Sequence, residues 1–299
     1  MVTGVTGKIR LIQSVPCANT LGEGVVWDDR QSAALWTDIE ERRFFRSVYP
    51  FESAQSYVLP QRLGSFGMIE TASGRYMGAF ESGFACFSLP ADRLEWIARP
   101  SLAKSARFND GRVDRRGAFL AGTMIEDEAR RAAEPGGVLY KLEDGKASPL
   151  LDKIAISNSL CWSPDGATMY FADTPQRTIW AFDYKDGVPE NRRVFAATPQ
   201  GCFPDGSAVD ADGYVWNAQW GGARVVRYAP DGDVDLIVDI PAPHVTCVAF
   251  GGPSLRHLLV TSARAGLDEA NLAAAPESGN LFVYETPFQG LNENRITTF

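Results

Sequence analysis

Histidine is scarce in this chain, with His244 and His257 the two examples among 299 residues. So little imidazole, and no G-x-S-x-G elbow, disfavours a covalent serine–histidine mechanism. Cysteine is nearly as sparse. Cys17, Cys86, Cys161, Cys202 and Cys247 are odd in number, widely separated and without a C-x-x-C pair, which fits neither a disulfide framework nor a structural zinc site. Reduced, mostly buried thiols are expected instead. No apolar run approaches the roughly 20 residues of a membrane helix, and residues 1–8 lack the basic-then-apolar pattern of a leader. Positive charge is also short, with 29 Lys and Arg against 37 Asp and Glu and a formal net charge of −8. Phosphate binding needs concentrated Lys and Arg, so neither nucleic acid nor an anionic membrane is the expected partner. The expectation is a cytoplasmic chain acting on a small molecule, with no obligate protein partner.

What the chain does contain is hydrophobic material, 45% of residues, arranged in short repeated runs. Val25-Val26-Trp27 leads through a polar turn into Ala34-Leu35-Trp36-Thr37-Asp38. Leu160-Cys161-Trp162 leads through Ser163-Pro164-Asp165-Gly166 into Met169-Tyr170-Phe171-Ala172-Asp173. Ala208-Val209-Asp210 leads through Ala211-Asp212-Gly213 into Tyr214-Val215-Trp216-Asn217-Ala218. Each reads as strand, tight turn and strand. Weaker copies fill the gaps. The ends of the second strands, at Asp38, Ala79, Thr123, Asp173, Gln219 and Ala263, are spaced by 41, 44, 50, 46 and 44 residues. Six units of that length predict an all-β, six-bladed β-propeller over residues 1–299 as a single domain. A pair of β-sandwiches would not require such a period. Strands at Ile9-Arg10-Leu11-Ile12 and Leu281-Phe282-Val283-Tyr284 are left over, and their pairing in the last blade would close the ring. Segments 125–135 and 267–276 read as helical excursions at one rim.

Polar residues stand just before the first strand of several repeats: Glu23, Asn109, Asn158 and Asp205, with the second repeat's marker near Gly67. In phase around a ring, they would converge on its centre. Converging carboxylates repel, and burial raises the pKa of at least one. An all-oxygen set of this kind suits one divalent cation, Ca²⁺, Mg²⁺ or Mn²⁺, with Zn²⁺ also admissible. Taken singly, each of these residues also serves as an ordinary turn signal. Asp231-Gly232-Asp233 lacks the spacing of an EF-hand and reads as a solvated turn. Trp220 is a candidate pocket wall, and His244, which precedes the last repeat's first strand, is a weaker candidate for facing substrate; His257 reads as a surface turn residue.

Leu21-Gly22-Glu23-Gly24-x-x-Trp27, Arg107-Phe108-Asn109-Asp110-Gly111, Ala121-Gly122-Thr123-Met124, Ile156-Ser157-Asn158 and Pro204-Asp205-Gly206 resemble signature segments of one family. It is the senescence-marker-protein, regucalcin and gluconolactonase family of six-bladed propellers, and the resemblance extends from Leu21 to Tyr284. It implies that Glu23, Asn158 and Asp205 ligate the metal, and that Arg107 and Asn109 contact sugar hydroxyls. It also implies an acidic substrate contact soon after Met124, where Glu126 and Asp127 are adjacent and Asp127 is slightly preferred. The implied reaction is hydrolysis of a sugar lactone to the aldonic acid by metal-activated water, with Asp205 as general base. A non-catalytic, calcium-binding regulatory propeller is the alternative.

Overall fold

The computed structural model describes residues 9–299; residues 1–8, whose sequence lacks a leader pattern, lie outside the described residues. The chain is all-β apart from short helical segments. Antiparallel meanders of four strands succeed one another. The first comprises Gly22–Asp28, Ala33–Asp38, Arg43–Val48 and Gln55–Val58, and the second Leu63–Ile69, Arg75–Phe80, Gly83–Ser88 and Glu95–Ala98. The third comprises Ala106–Val113, Phe119–Ile125, Gly137–Glu143 and Lys146–Ile154, and the fourth Ser157–Trp162, Thr168–Asp173, Thr178–Lys185 and Val188–Ala197. The fifth, Phe203–Val209, Val215–Trp220, Arg224–Tyr228 and Val234–Asp239, is joined to the sixth by one Trp220–His244 pair. The sixth comprises His244–Gly251, His257–Ala263 and Leu281–Glu285, with Arg10–Val15 paired antiparallel along its outer edge.

Middle strands are packed on both faces, which is why they read as unbroken apolar runs instead of alternating ones. Ala33–Asp38 is buried at every residue. Apolar layers fill the space between successive sheets. Phe44 of the first lies 4.7 Å from Phe66 and 5.3 Å from Tyr76 of the second, and Phe84 lies 4.8 Å from Phe108 of the third. Trp216 of the fifth meets Phe250 of the sixth at 5.4 Å. A further layer joins the sixth sheet to the first, with Leu281 and Val283 against Val25, Trp27 and Trp36. Each fully buried aromatic or aliphatic side chain here contributes roughly 1.5–3 kcal/mol. Trp180 is only half-buried and carries the Arg192 guanidinium 4.6 Å from its ring centre.

The first strand of each sheet is innermost and touches the first strand of the next, and His244–Gly251 returns to Gly22–Asp28. Every one of these inner strands contains a register shift near its start, between Glu23 and Val26, Leu63 and Ser65, Phe108 and Gly111, Asn158 and Cys161, Pro204 and Ser207, and Val245 and Val248. Each is a β-bulge, which inserts a residue and re-aims the side chains beside it. The bulge of the second sheet is at Gly64, so the position expected near Gly67 is filled a few residues earlier.

The helices are Glu128–Ala133 and Glu269–Ala274, both following second strands at the end where the inner strands begin. At the opposite end, Asp28, Asp114 and Asp210 accept turn N–H groups, including Arg30 at 3.1 Å, Ala118 at 2.9 Å and Tyr214 at 3.0 Å. The C-terminal segment crosses that end. Arg295–Ile296 pairs in parallel with Met68 and Ile69, Asn294 Nδ2 donates to the Val113 carbonyl at 2.9 Å, and Gly290 bridges to Asp210. His257 begins a strand and packs on Tyr49 and Phe51, so it is not the turn residue expected. No helix among the described residues is long and apolar enough to cross a membrane.

Candidate metal and substrate site

The bulges resolve how Glu23, Asn109, Asn158 and Asp205 meet. These four do not share one register position, as the sequence spacing suggested. Glu23 and Asn158 are the last paired residues before their bulges, opposite Thr37 and Ala172, whereas Asn109 and Asp205 lie within theirs. The residues that follow Glu23 and Asn158, Gly24 and Ser159, adopt left-handed φ values of +63° and +60°. That local turn of the backbone lets adjacent tiers aim at one centre. Two further carboxylates hold the entries to these strands. Asp38 accepts from Thr20 N at 2.8 Å and Leu21 N at 3.1 Å, and Asp173 accepts from Ala155 N at 3.1 Å and Ile156 N at 2.9 Å.

All four side chains are buried. Asn158 Nδ2 donates to Thr174 Oγ1 at 2.8 Å, and that hydroxyl donates to the Pro204 carbonyl at 3.1 Å. Asn158 Oδ1 accepts from Asn109 Nδ2 at 3.1 Å, and Asn109 Oδ1 accepts from Arg107 Nη1 at 2.8 Å. The Asp205 carbonyl accepts from Ser159 Oγ at 2.6 Å and Asn217 Nδ2 at 3.1 Å. Its backbone is therefore fixed while its side chain is not satisfied: Asp205 Oδ1 is buried with no hydrogen-bond partner among the described residues.

Burial pushes the Glu23 carboxyl well above the usual carboxylate range, reinforced by the negative charge of Asp110. Burial does the same to Asp205, and Glu23 and Asp110 add to it. Asp110 itself is raised by burial, although the Leu160 N–H and the Arg112 guanidinium oppose the shift. Arg112 is already matched to Glu293, at 2.7 Å. Acidic groups thus crowd a space with too little positive charge. Among the described residues no three His, Cys, Asp or Glu side chains form a metal cluster, but the donors that do meet are oxygens of two carboxylates and an amide. An orphaned acceptor in a crowded acidic centre fits a hard divalent cation held by Glu23, Asn158 and Asp205.

Arg107 lies one residue outside this centre, buried, with Glu126 Oε1 3.3 Å from its Nε and Glu40 Oε1 3.8 Å from its Nη2. The adjacent acidic residues Glu126 and Asp127, of which Asp127 is slightly preferred from sequence as the substrate contact, have different surroundings. Asp127 is the N-cap of the helix that follows, accepting from Arg130 N at 2.9 Å, while Glu126 turns to Arg107. A capping signal was present in the sequence, since Asp precedes a helix-forming run. Across the same end, Trp220 stacks on His244 with centroids 3.9 Å apart. His244 Nδ1 lies 2.9 Å from the Ala265 carbonyl, which can only accept, so Nδ1 carries the proton. Burial lowers the pKa of this ring. Asp110, Thr174 and Arg62 belong to the same neighbourhood and were not singled out by sequence spacing. A groove of about 560 Å³ on the flank between the third and fourth sheets, lined by Leu150, Lys153, Trp180 and Arg192, gathers no comparable set of donors.

A family model described as SMP-30/Gluconolactonase/LRE-like region matches residues 21–264. An L-arabinolactonase of Azospirillum brasilense is 38% identical over 286 residues, covering 93% of this chain and 92% of its own. A 6-deoxy-6-sulfogluconolactonase of Pseudomonas putida is 36% identical, covering 92% of this chain and 94% of its own. The crystal structure of a calcium-binding protein, regucalcin, from Agrobacterium tumefaciens superposes with a TM-score of 0.88 at 32% identity, covering 96% of this chain and 97% of that one.

Proposed function

Because the chain belongs to the SMP-30/gluconolactonase/LRE-like family, we propose that it is a metal-dependent hydrolase that opens sugar lactones to aldonic acids. The observation that carries this reading is the unpartnered, buried Asp205 carboxylate beside Glu23 and Asn158, one step below the Arg107–Glu126 pair. Lactonase names among relatives at 36–38% identity support it. We also infer a single six-bladed propeller, supported by the cyclic order of inner strands and the pairing of Arg10–Val15 with Leu281–Glu285.

In this reading Glu23, Asn158 and Asp205 hold one divalent cation, which when bound supplies Lewis acidity toward the lactone carbonyl and water. Asp205 accepts the proton of the attacking water at its carboxylate, and that proton passes to the ring oxygen as the acyl C–O bond breaks. Thr174 and Asn109 keep the Asn158 amide oxygen turned inward. Arg107, Asn109 and Glu126 orient ring hydroxyls, which is a positioning effect.

The test is proton release from a panel of pentono- and hexonolactones by chelator-stripped protein, with Ca²⁺, Mg²⁺, Mn²⁺ or Zn²⁺ restored singly. Turnover should require a cation, and Asp205→Asn should lower kcat at least ~100-fold. Folded protein inactive on every lactone would overturn the proposal, and so would undiminished turnover by Asp205→Asn. Cation binding without turnover would leave a calcium-binding role.

A further inference from the structure

Arg62 lies outside the residue set just assigned. It immediately precedes the inner strand Leu63–Ile69, and its carbonyl accepts from Glu81 N at 3.0 Å. The same bond is made by Ile39 N to the Leu21 carbonyl and by Thr174 N to the Ile156 carbonyl, so Arg62 stands at the entry to its inner strand as Leu21 and Ile156 do, outside the tier of Glu23 and Asn158. The second sheet thus presents a guanidinium at its entry, outside the tier where the first and fourth present Glu23 and Asn158.

This guanidinium is fully engaged. Nη1 and Nη2 donate to the two oxygens of Glu126 at 2.6 and 3.0 Å, and Nε donates to Glu81 at 2.7 Å. Glu40 approaches Nη1 at 3.6 Å. Glu126 depends on this grip. Its residue falls between the strand Phe119–Ile125 and the helix Glu128–Ala133, and its bond to Arg107 is the longer one, at 3.3 Å. A glutamate side chain loses considerable rotamer freedom when fixed, and a planar fork that meets both carboxylate oxygens sets position and orientation together.

We propose that Arg62 is a positioning residue for the reaction. It fixes the Glu126 carboxylate at the mouth, so that its remaining lone pairs accept hydroxyl protons of a polyol lactone. This rests on the sugar-lactone reading above. Arg62 acts through Glu126 and makes no contact with the cation ligands.

The experiment compares Arg62→Met, Arg62→Lys, Glu126→Gln and the double variant Arg62→Met/Glu126→Gln in steady-state kinetics on the best lactone of the panel. Cation affinity is measured by calorimetry on each. Arg62→Met should raise KM about 10-fold or more, the loss expected of a charge-assisted bond, with kcat changed far less. Arg62→Lys keeps the charge without the fork and should recover only part of the loss. The double variant should be no worse than Glu126→Gln alone, because both changes remove the same contact. Cation affinity should be unaltered throughout. An unchanged KM in Arg62→Met overturns the inference, as does a double variant in which the two losses multiply. If Arg62→Met does not fold, Arg62→Lys decides, because wild-type KM in that variant overturns the need for the fork. A wild-type protein inactive on all lactones sinks this inference together with the function it rests on, whereas active protein indifferent to Arg62 sinks this inference alone.

Discussion

At Asp205 a buried carboxyl faces another at Glu23; burial and then the charge of Glu23 make Asp205 harder to ionise, while burial and the charge of Asp110 do the same to Glu23. Both are raised above the ordinary range near 4 that they have in the unfolded chain. The metal-free fold therefore binds extra protons. The stability this gives is fully present below that range and is lost as pH rises through the raised folded-state values. Thermal melts of chelated protein should accordingly fall as pH climbs from acid to alkaline. Cation binding should release protons over the same window, seen as a buffer-dependent calorimetric enthalpy, and should tighten with pH. Asp205→Asn should raise the alkaline melting temperature of metal-free protein while abolishing stabilisation by added cation. Single residues were legible in the sequence where one polar side chain stood in each repeat, as at Glu23, Asn158 and Asp205. They were not legible where a contact depends on a loop's direction. Glu126 and Asp127 are neighbours with the same charge, and only the start of the helix at Glu128 decides that one caps and the other faces Arg107.

Among the elements, the bulged inner strand governs the site. Sequence periodicity located these strands, because alternating and continuous apolar runs mark them, but a bulge leaves no periodic trace. Spacing alone therefore put the four oxygen-bearing residues on one tier, when the register gives two. Gly24 supplies the left-handed turn after Glu23, and its φ of +63° is strained for any side chain although the space beside it is open. Gly24→Ala should cost roughly 1–2 kcal/mol in denaturant unfolding and weaken cation affinity, since Glu23 is the next residue. The two-residue parallel strand Arg295–Ile296 was equally invisible, being too short to carry a pattern.

On the scale of the whole molecule, the repeat spacing was the strongest signal in the chain, because six similar units must bury their faces against one another. The C-terminal crossing was not part of that signal. It brings Glu293 to Arg112, with side chains only 15% and 11% exposed. Glu293→Gln would leave a buried guanidinium without its counter-ion, and a loss of about 3 kcal/mol in unfolding free energy is expected.

The same crossing also limits traffic. With Leu291, Glu293 and Asn294 seated against Arg112, Cys161 and Phe250, the space left at that end is about 30 Å³, room for little more than a water molecule. A molecule the size of a sugar lactone does not pass between these residues.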